Sequence, residues 1–199
     1  VVLQYNKVDI VTGIAFGVLC IPSSLAMGLF VILPYIAPMM IFKESSTKIY
    51  LFKNNKKNTF LITLILIFVI GGILAGINTL LAMSSISINV SFKIKWILDA
   101  LCAGVFEEIF FRLFFFAICV YLVKNQELSK LQNILCYVIM VVPHVLIHFN
   151  LQTFNVSNMI VLSVLFGMPF ALMQRKANLV SAIGAHAFVD FMRFCLLGV

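Results

Sequence analysis

Two adjacent glutamates, Glu107 and Glu108, are followed four residues on by Arg112 in a stretch that is otherwise apolar. Further along, His144 and His148 are spaced i,i+4, and His186 and Asp190 repeat that spacing. On a helix, residues four apart share a face, so Glu108 and Arg112 can form an ion pair and each histidine pair points one way. Glu107 is turned about 100° from Glu108 and is free to point into a cavity. Carboxylates and imidazoles that converge in a dry pocket can activate water, the carboxylate serving as general base. The plainer roles are a structural pair for Glu108 and Arg112, hydrogen-bonded core histidines, and a polar clasp between helices for His186 and Asp190.

The elements that must hold these residues are membrane spans. Of 199 residues, 63% are hydrophobic and 11% charged, and the mean hydropathy is +1.13. A soluble domain carries about 25% charged residues, so a soluble globular fold is excluded. Apolar segments over 10–42, 59–83, 94–123, 131–150, 158–174 and 178–197 predict an all-α, polytopic bundle of about six spans. The first segment contains Pro22, Pro34 and Pro38 and is expected to kink or break there, yet at 33 residues it is counted as one crossing. An ionised group at a span centre costs about 2.5–3.5 kcal/mol, so Glu107, Glu108 and Arg112 together call for partners or a water-filled cavity.

Charge sets the expected orientation. Lys43, Lys48, Lys53, Lys56, Lys57, Lys124, Lys130, Arg175 and Lys176 fall on one side; Lys7, Lys93 and Lys95 fall on the other. Nine against three makes the first side cytoplasmic, with both termini outside. The net charge of +7 is explained by these loops, without nucleic acid. No signal peptide is expected from the first residues. The five cysteines lie in apolar segments without CxxC spacing and read as buried hydrophobes. The phenylalanines from Phe110 to Phe116 read as packing or lipid-facing residues. HExxH, GxSG and GxGD signatures are absent, and nothing near Cys102 or Cys136 marks a nucleophilic thiol. Glutamate–histidine activation of water remains, with or without a metal.

Glu107 to Arg112 form an EExxxR motif, and His186 to Asp190 an HxxxD motif, with His148-Phe149-Asn150 between them and Arg175 to Leu179 ahead of the second. Over roughly residues 98–194 this resembles the CPBP family of CAAX proteases and bacteriocin-processing enzymes, also called the Abi family. The division expected is residues 1–95 as N-terminal helices with the basic loop and 96–199 as the family-like core. The resemblance implies an intramembrane endopeptidase. Glu107 and His148 would activate the attacking water, His186 and Asp190 would serve the oxyanion, and Glu108 with Arg112 would organise the site.

The chain departs from the family twice. FxxxH becomes HxxxH: the 38-residue spacing to His186 favours His148, while depth in the membrane favours the alternative, His144. Asp190 stands where animal and yeast CAAX proteases have asparagine. An ionised aspartate cannot donate to an oxyanion, so Asp190 is expected to orient and charge His186. No cofactor is required on this reading; a divalent metal such as zinc or manganese, held by Glu, His and Asp, is the alternative. The partners expected are membrane lipid and a peptide, lipidated peptide or membrane-protein substrate. The Ile-, Lys-, Asn- and Phe-rich composition suggests a bacterial cell membrane, where a peptide precursor or bacteriocin leader is the favoured substrate. A non-enzymatic scaffold that confers immunity to a bacteriocin or lytic enzyme is the rival.

Overall fold

The computed structural model describes residues 6–52, 59–83, 86–124, 127–150 and 152–198. Among these there is no strand. The described residues form seven helices: α1 (Lys7–Cys20), α2 (Leu25–Glu44), α3 (Thr59–Ala82), α4 (95–122), α5 (Lys130–Leu146), α6 (Val156–Lys176) and α7 (Leu179–Leu197). Four of them, α2, α3, α6 and α7, are long and apolar enough to cross a bilayer. With the charged α4 and the shorter α5 this is a bundle of about six membrane spans.

Helix starts follow from side-chain caps. The side chains of Asn6, Ser24, Asn155 and Asn178 accept from backbone N–H groups of the first turns of α1, α2, α6 and α7. Ser129 and Gln132 form a reciprocal capping box on α5. At the other end of α2, Lys48 Nζ donates to the carbonyls of Phe42 and Lys43, satisfying acceptors that the helix leaves open. In α6 the π-helical turn Ser163–Gly167 precedes Pro169, whose missing N–H cannot continue the ladder.

Over residues 10–42 one helix, α2, is long enough to cross, and the break expected near Pro22 is present. The chain breaks at residues 21–24, around Pro22, and α1 folds back along α2. Gly17 and Gly28 allow this: a Cβ on Gly17 would lie 2.8 Å from the Gly28 carbonyl oxygen, so the two backbones touch. Fourteen residues of α1 span only about 21 Å, so the hairpin fits where two full crossings would not. Lys43 pairs with Asp9 at 3.1 Å, which sets the start of α1 beside the basic loop. The N-terminal end therefore lies on the side of that loop, contrary to expectation, and Lys7 joins the basic side. The C-terminal end lies on the opposite side, where Asn89 donates to the Leu196 carbonyl.

Two contacts fix the helices that carry the polar residues. Gly104 of α4 meets α7, where an added Cβ would come within 2.8 Å of the Ile183 carbonyl oxygen. Asn178, at the start of α7, donates to Thr63 of α3 in a buried bond of 2.9 Å. Small residues and buried polar bonds are what hold helices together in lipid, where apolar burial between helices gains little.

Candidate active site

The expected fourth span ends sooner than the sequence pattern suggests. α5 stops at Leu146, and the chain tightens through bonds from His148 N to Val145 O and Phe149 N to Leu146 O. The Asn150 side chain then accepts from Gln152 and Thr153 and turns the chain away. His144 is therefore on the last turn of the helix and buried, while His148 sits in the turn beyond it with its side chain 49% exposed.

A π-helical turn, Glu108–Phe114, interrupts α4 at the charged residues. Such turns recur at functional sites. Glu108 and Arg112 are fully buried, and Arg112 Nη1 donates to Glu108 Oε1 at 2.5 Å. The same oxygen accepts from His186 Nδ1 at 2.7 Å. Arg112 Nη2 lies 3.0 Å from His144 Nδ1. A guanidinium only donates, so Nδ1 of His144 accepts and the ring proton sits on Nε2. That Nε2 is hydrogen-bonded to Glu107 Oε2. One arginine thereby sets the tautomer of one histidine and the position of the carboxylate that orients another.

Glu107 stands at the centre. Besides the bond from His144, its Oε2 lies 3.4 Å from His186 Nε2 and 4.0 Å from His148 Nε2. Asp190 Oδ2 is 3.6 Å from His186 Nε2. The group seated at hydrogen-bonding distance on His186 is Glu108, not Asp190. Phe170 stacks flat on the His186 ring, centroids 4.8 Å apart, and also lies under the Arg112 guanidinium. These contacts leave the imidazole little freedom.

A cavity of about 180 Å³ opens onto this cluster and is lined by His144, His148, His186 and Asp190. It occupies the half of the bundle away from the basic loops, since its α7 residues follow His186 toward the C-terminal end. That volume admits a water and part of a larger molecule. Among the wall residues that escaped the sequence reading are Phe170, Asn78 of α3 and Arg193 of α7. Asn78 is the one side-chain amide in residues 59–83, and Arg193 follows Asp190 by three positions. Both could have been found by asking which polar residues share a face with the motifs.

Glu107, His144 and His186 also offer ligand atoms within 4.8 Å of one another, a donor set suited to a divalent transition metal. The tautomer argues against that use. A metal on His144 would need a bare Nε2, which moves the ring proton to Nδ1, against Arg112. The residues present do not fit a metal while Arg112 keeps this contact.

The family model described as type II CAAX prenyl endopeptidase Rce1-like matches residues 89–192, about half of the chain. The chain belongs to this family. It is a family of membrane-embedded proteases, so a proteolytic function and the multi-pass membrane location go together. No curated protein and no solved structure matches the chain. The matched region takes in α4, α5, the turn after α5 and most of α7, which together carry all seven residues of the motif set.

Proposed function

We propose that the protein is an intramembrane endopeptidase that hydrolyses a peptide bond with water activated by Glu107. The observation that carries this reading is the convergence on Glu107 of three histidines beside a cavity, inside a membrane bundle. A structural ion pair does not require them. Glu107 accepts a proton from water as the oxygen attacks the scissile carbonyl, and returns it to the departing amine. His144 holds the carboxylate through its Nε2 proton. His186, with its Nδ1 proton on Glu108, presents Nε2 to the carbonyl oxygen as negative charge develops there. Glu108 and Arg112 position these two histidines. Asp190 balances the charge of His186 when the ring carries both protons, and His148 stands on the cavity wall within reach of the leaving group.

The substrate class proposed is a peptide held at the membrane, including one lipidated on cysteine, as the family description of a CAAX prenyl endopeptidase suggests. The test is cleavage of such a peptide by purified protein with and without Glu107→Gln. Loss of about 10²–10⁴ in turnover, with the fold intact, is expected for removal of a general base. Equal turnover by the two proteins would overturn the reading.

A further inference from the structure

Among the described residues, another cavity with charged walls lies at the opposite end of the bundle, beside the basic loop. Its volume is about 250 Å³. Asp9 of α1, Lys43 of α2 and Lys48 of the loop charge its wall, and the buried Phe42 and Ile49 give it an apolar part. These residues stand outside the stretch 89–192 that matches the family model and take no part in the chemistry above.

The charges are arranged to leave donors over. Asp9 is only 9% exposed, and its Oδ2 lies 3.1 Å from Lys43 Nζ. No described residue gives that oxygen a well-aligned hydrogen bond, so the two groups attract as charges while the N–H groups of Lys43 stay available. Lys48 Nζ donates two of its three N–H groups to the carbonyls of Phe42 and Lys43, which leaves one. Two lysines against one aspartate give the wall a single excess positive charge.

The position of the cavity selects its ligand. α2 is long enough to cross the bilayer and ends at Glu44, so the cavity stands at the level of the lipid headgroups. A phosphodiester carries one negative charge and accepts hydrogen bonds, and ammonium groups match it in both respects. Basic pockets between membrane helices receive anionic headgroups in this way. A zwitterionic lipid brings an ammonium of its own to the two lysines and is disfavoured. Phe42 and Ile49 suit the glycerol and first acyl carbons, which a free anion lacks. We propose that this cavity binds the headgroup phosphate of an anionic glycerophospholipid, with Lys43 and Lys48 as donors and Asp9 holding Lys43 in place. The loop carbonyls of Tyr50 and Leu51 accept from Leu179 and Val180 at the start of α7. A lipid seated here therefore braces the hairpin, the loop and α7 together, whatever reaction the other end performs.

The experiment uses the full chain in detergent micelles and compares phosphatidylglycerol with phosphatidylcholine of the same acyl chains, binding being read by native mass spectrometry. Phosphatidylglycerol is expected to bind about fivefold more tightly, the value of one lysine beside an anionic headgroup. Lys43→Gln brings the ratio close to one. Asp9→Asn, which keeps the shape of the side chain and removes its charge, raises the ratio further, and this gain does not depend on how well Lys43→Gln folds. Lys130→Gln removes a charge at the start of α5, on the same side of the bundle but outside the cavity, and leaves the ratio at the parent value. Equal binding of the two lipids, equal losses with Lys130→Gln and Lys43→Gln, or a fall with Asp9→Asn overturns the proposal. So does displacement of phosphatidylglycerol by millimolar inorganic phosphate, which would make the cavity a site for a free anion.

Discussion

The N-terminal hairpin and the α4–α5–α7 cluster answer the same physical problem in opposite ways. In lipid, apolar faces gain little by meeting, so helices must be joined by close packing or by polar contacts. α1 and α2 use close packing: Gly13, Gly17 and Gly28 let side chains and backbone of the partner approach to where a Cβ would collide. α4, α5 and α7 use a buried charge network, with Arg112 bonded to Glu108 and His144 and Glu108 bonded to His186. The first solution is inert. The second leaves Glu107 beside a cavity with a hydrogen-bonded histidine, so the groups that join the helices also equip them for chemistry.

Removing the joint should separate the two solutions most sharply. Arg112→Leu leaves Glu108 buried without its cation and frees His144 Nδ1. Loss of one partner of a buried pair costs about 3–5 kcal/mol, so the variant should unfold at clearly lower denaturant and lose hydrolysis. Unchanged stability would mean that the network does not hold the helices. Next in size are the two histidines of HxxxH. His144→Ala should lower turnover about 10²–10³-fold, whereas His148→Ala should lower it less than about tenfold. The reverse order would return the leading role to His148.

The hairpin gives the contrasting result. Gly17→Leu drives a side chain into Gly28 and Ile32 and should cost about 1–3 kcal/mol of stability, read from thermal unfolding in detergent. Hydrolysis per folded molecule should stay at the parent value; a fall to the level of the Arg112 variant would show that the two regions are not independent. The smallest effect is expected from chelation. Incubation with EDTA followed by dialysis should leave peptide cleavage unchanged, and loss that zinc or manganese restores would show that the Arg112 contact yields to a metal.

Much of this was legible in the residues. About six spans follow from apolar runs, and five of the six segments read from the pattern have their counterparts in α3 to α7 within a few residues. The site residues could be picked out because charge in a span is rare and needs a reason. What was not legible depended on helix ends and on neighbours. The i,i+4 spacing of His144 and His148 assumed a helix through residue 150, but bonds in the turn after Leu146 end it and swing His148 to the cavity wall. Asp190 was expected to orient His186 because it lies four residues away on the same helix. Glu108, 78 residues distant, occupies that place because Gly104 brings α4 against α7.

Composition and local spacing thus determined by themselves that the chain is a helical membrane protein and which of its residues are candidates for chemistry. Hydropathy and helical period are local properties, readable along the chain. Tertiary structure alone decided that α1 folds back to the basic side, that Arg112 sets the proton on His144, and that Asn78 and Arg193 share a cavity with the three histidines. Each of these is set between helices, where residues distant in the sequence are brought together.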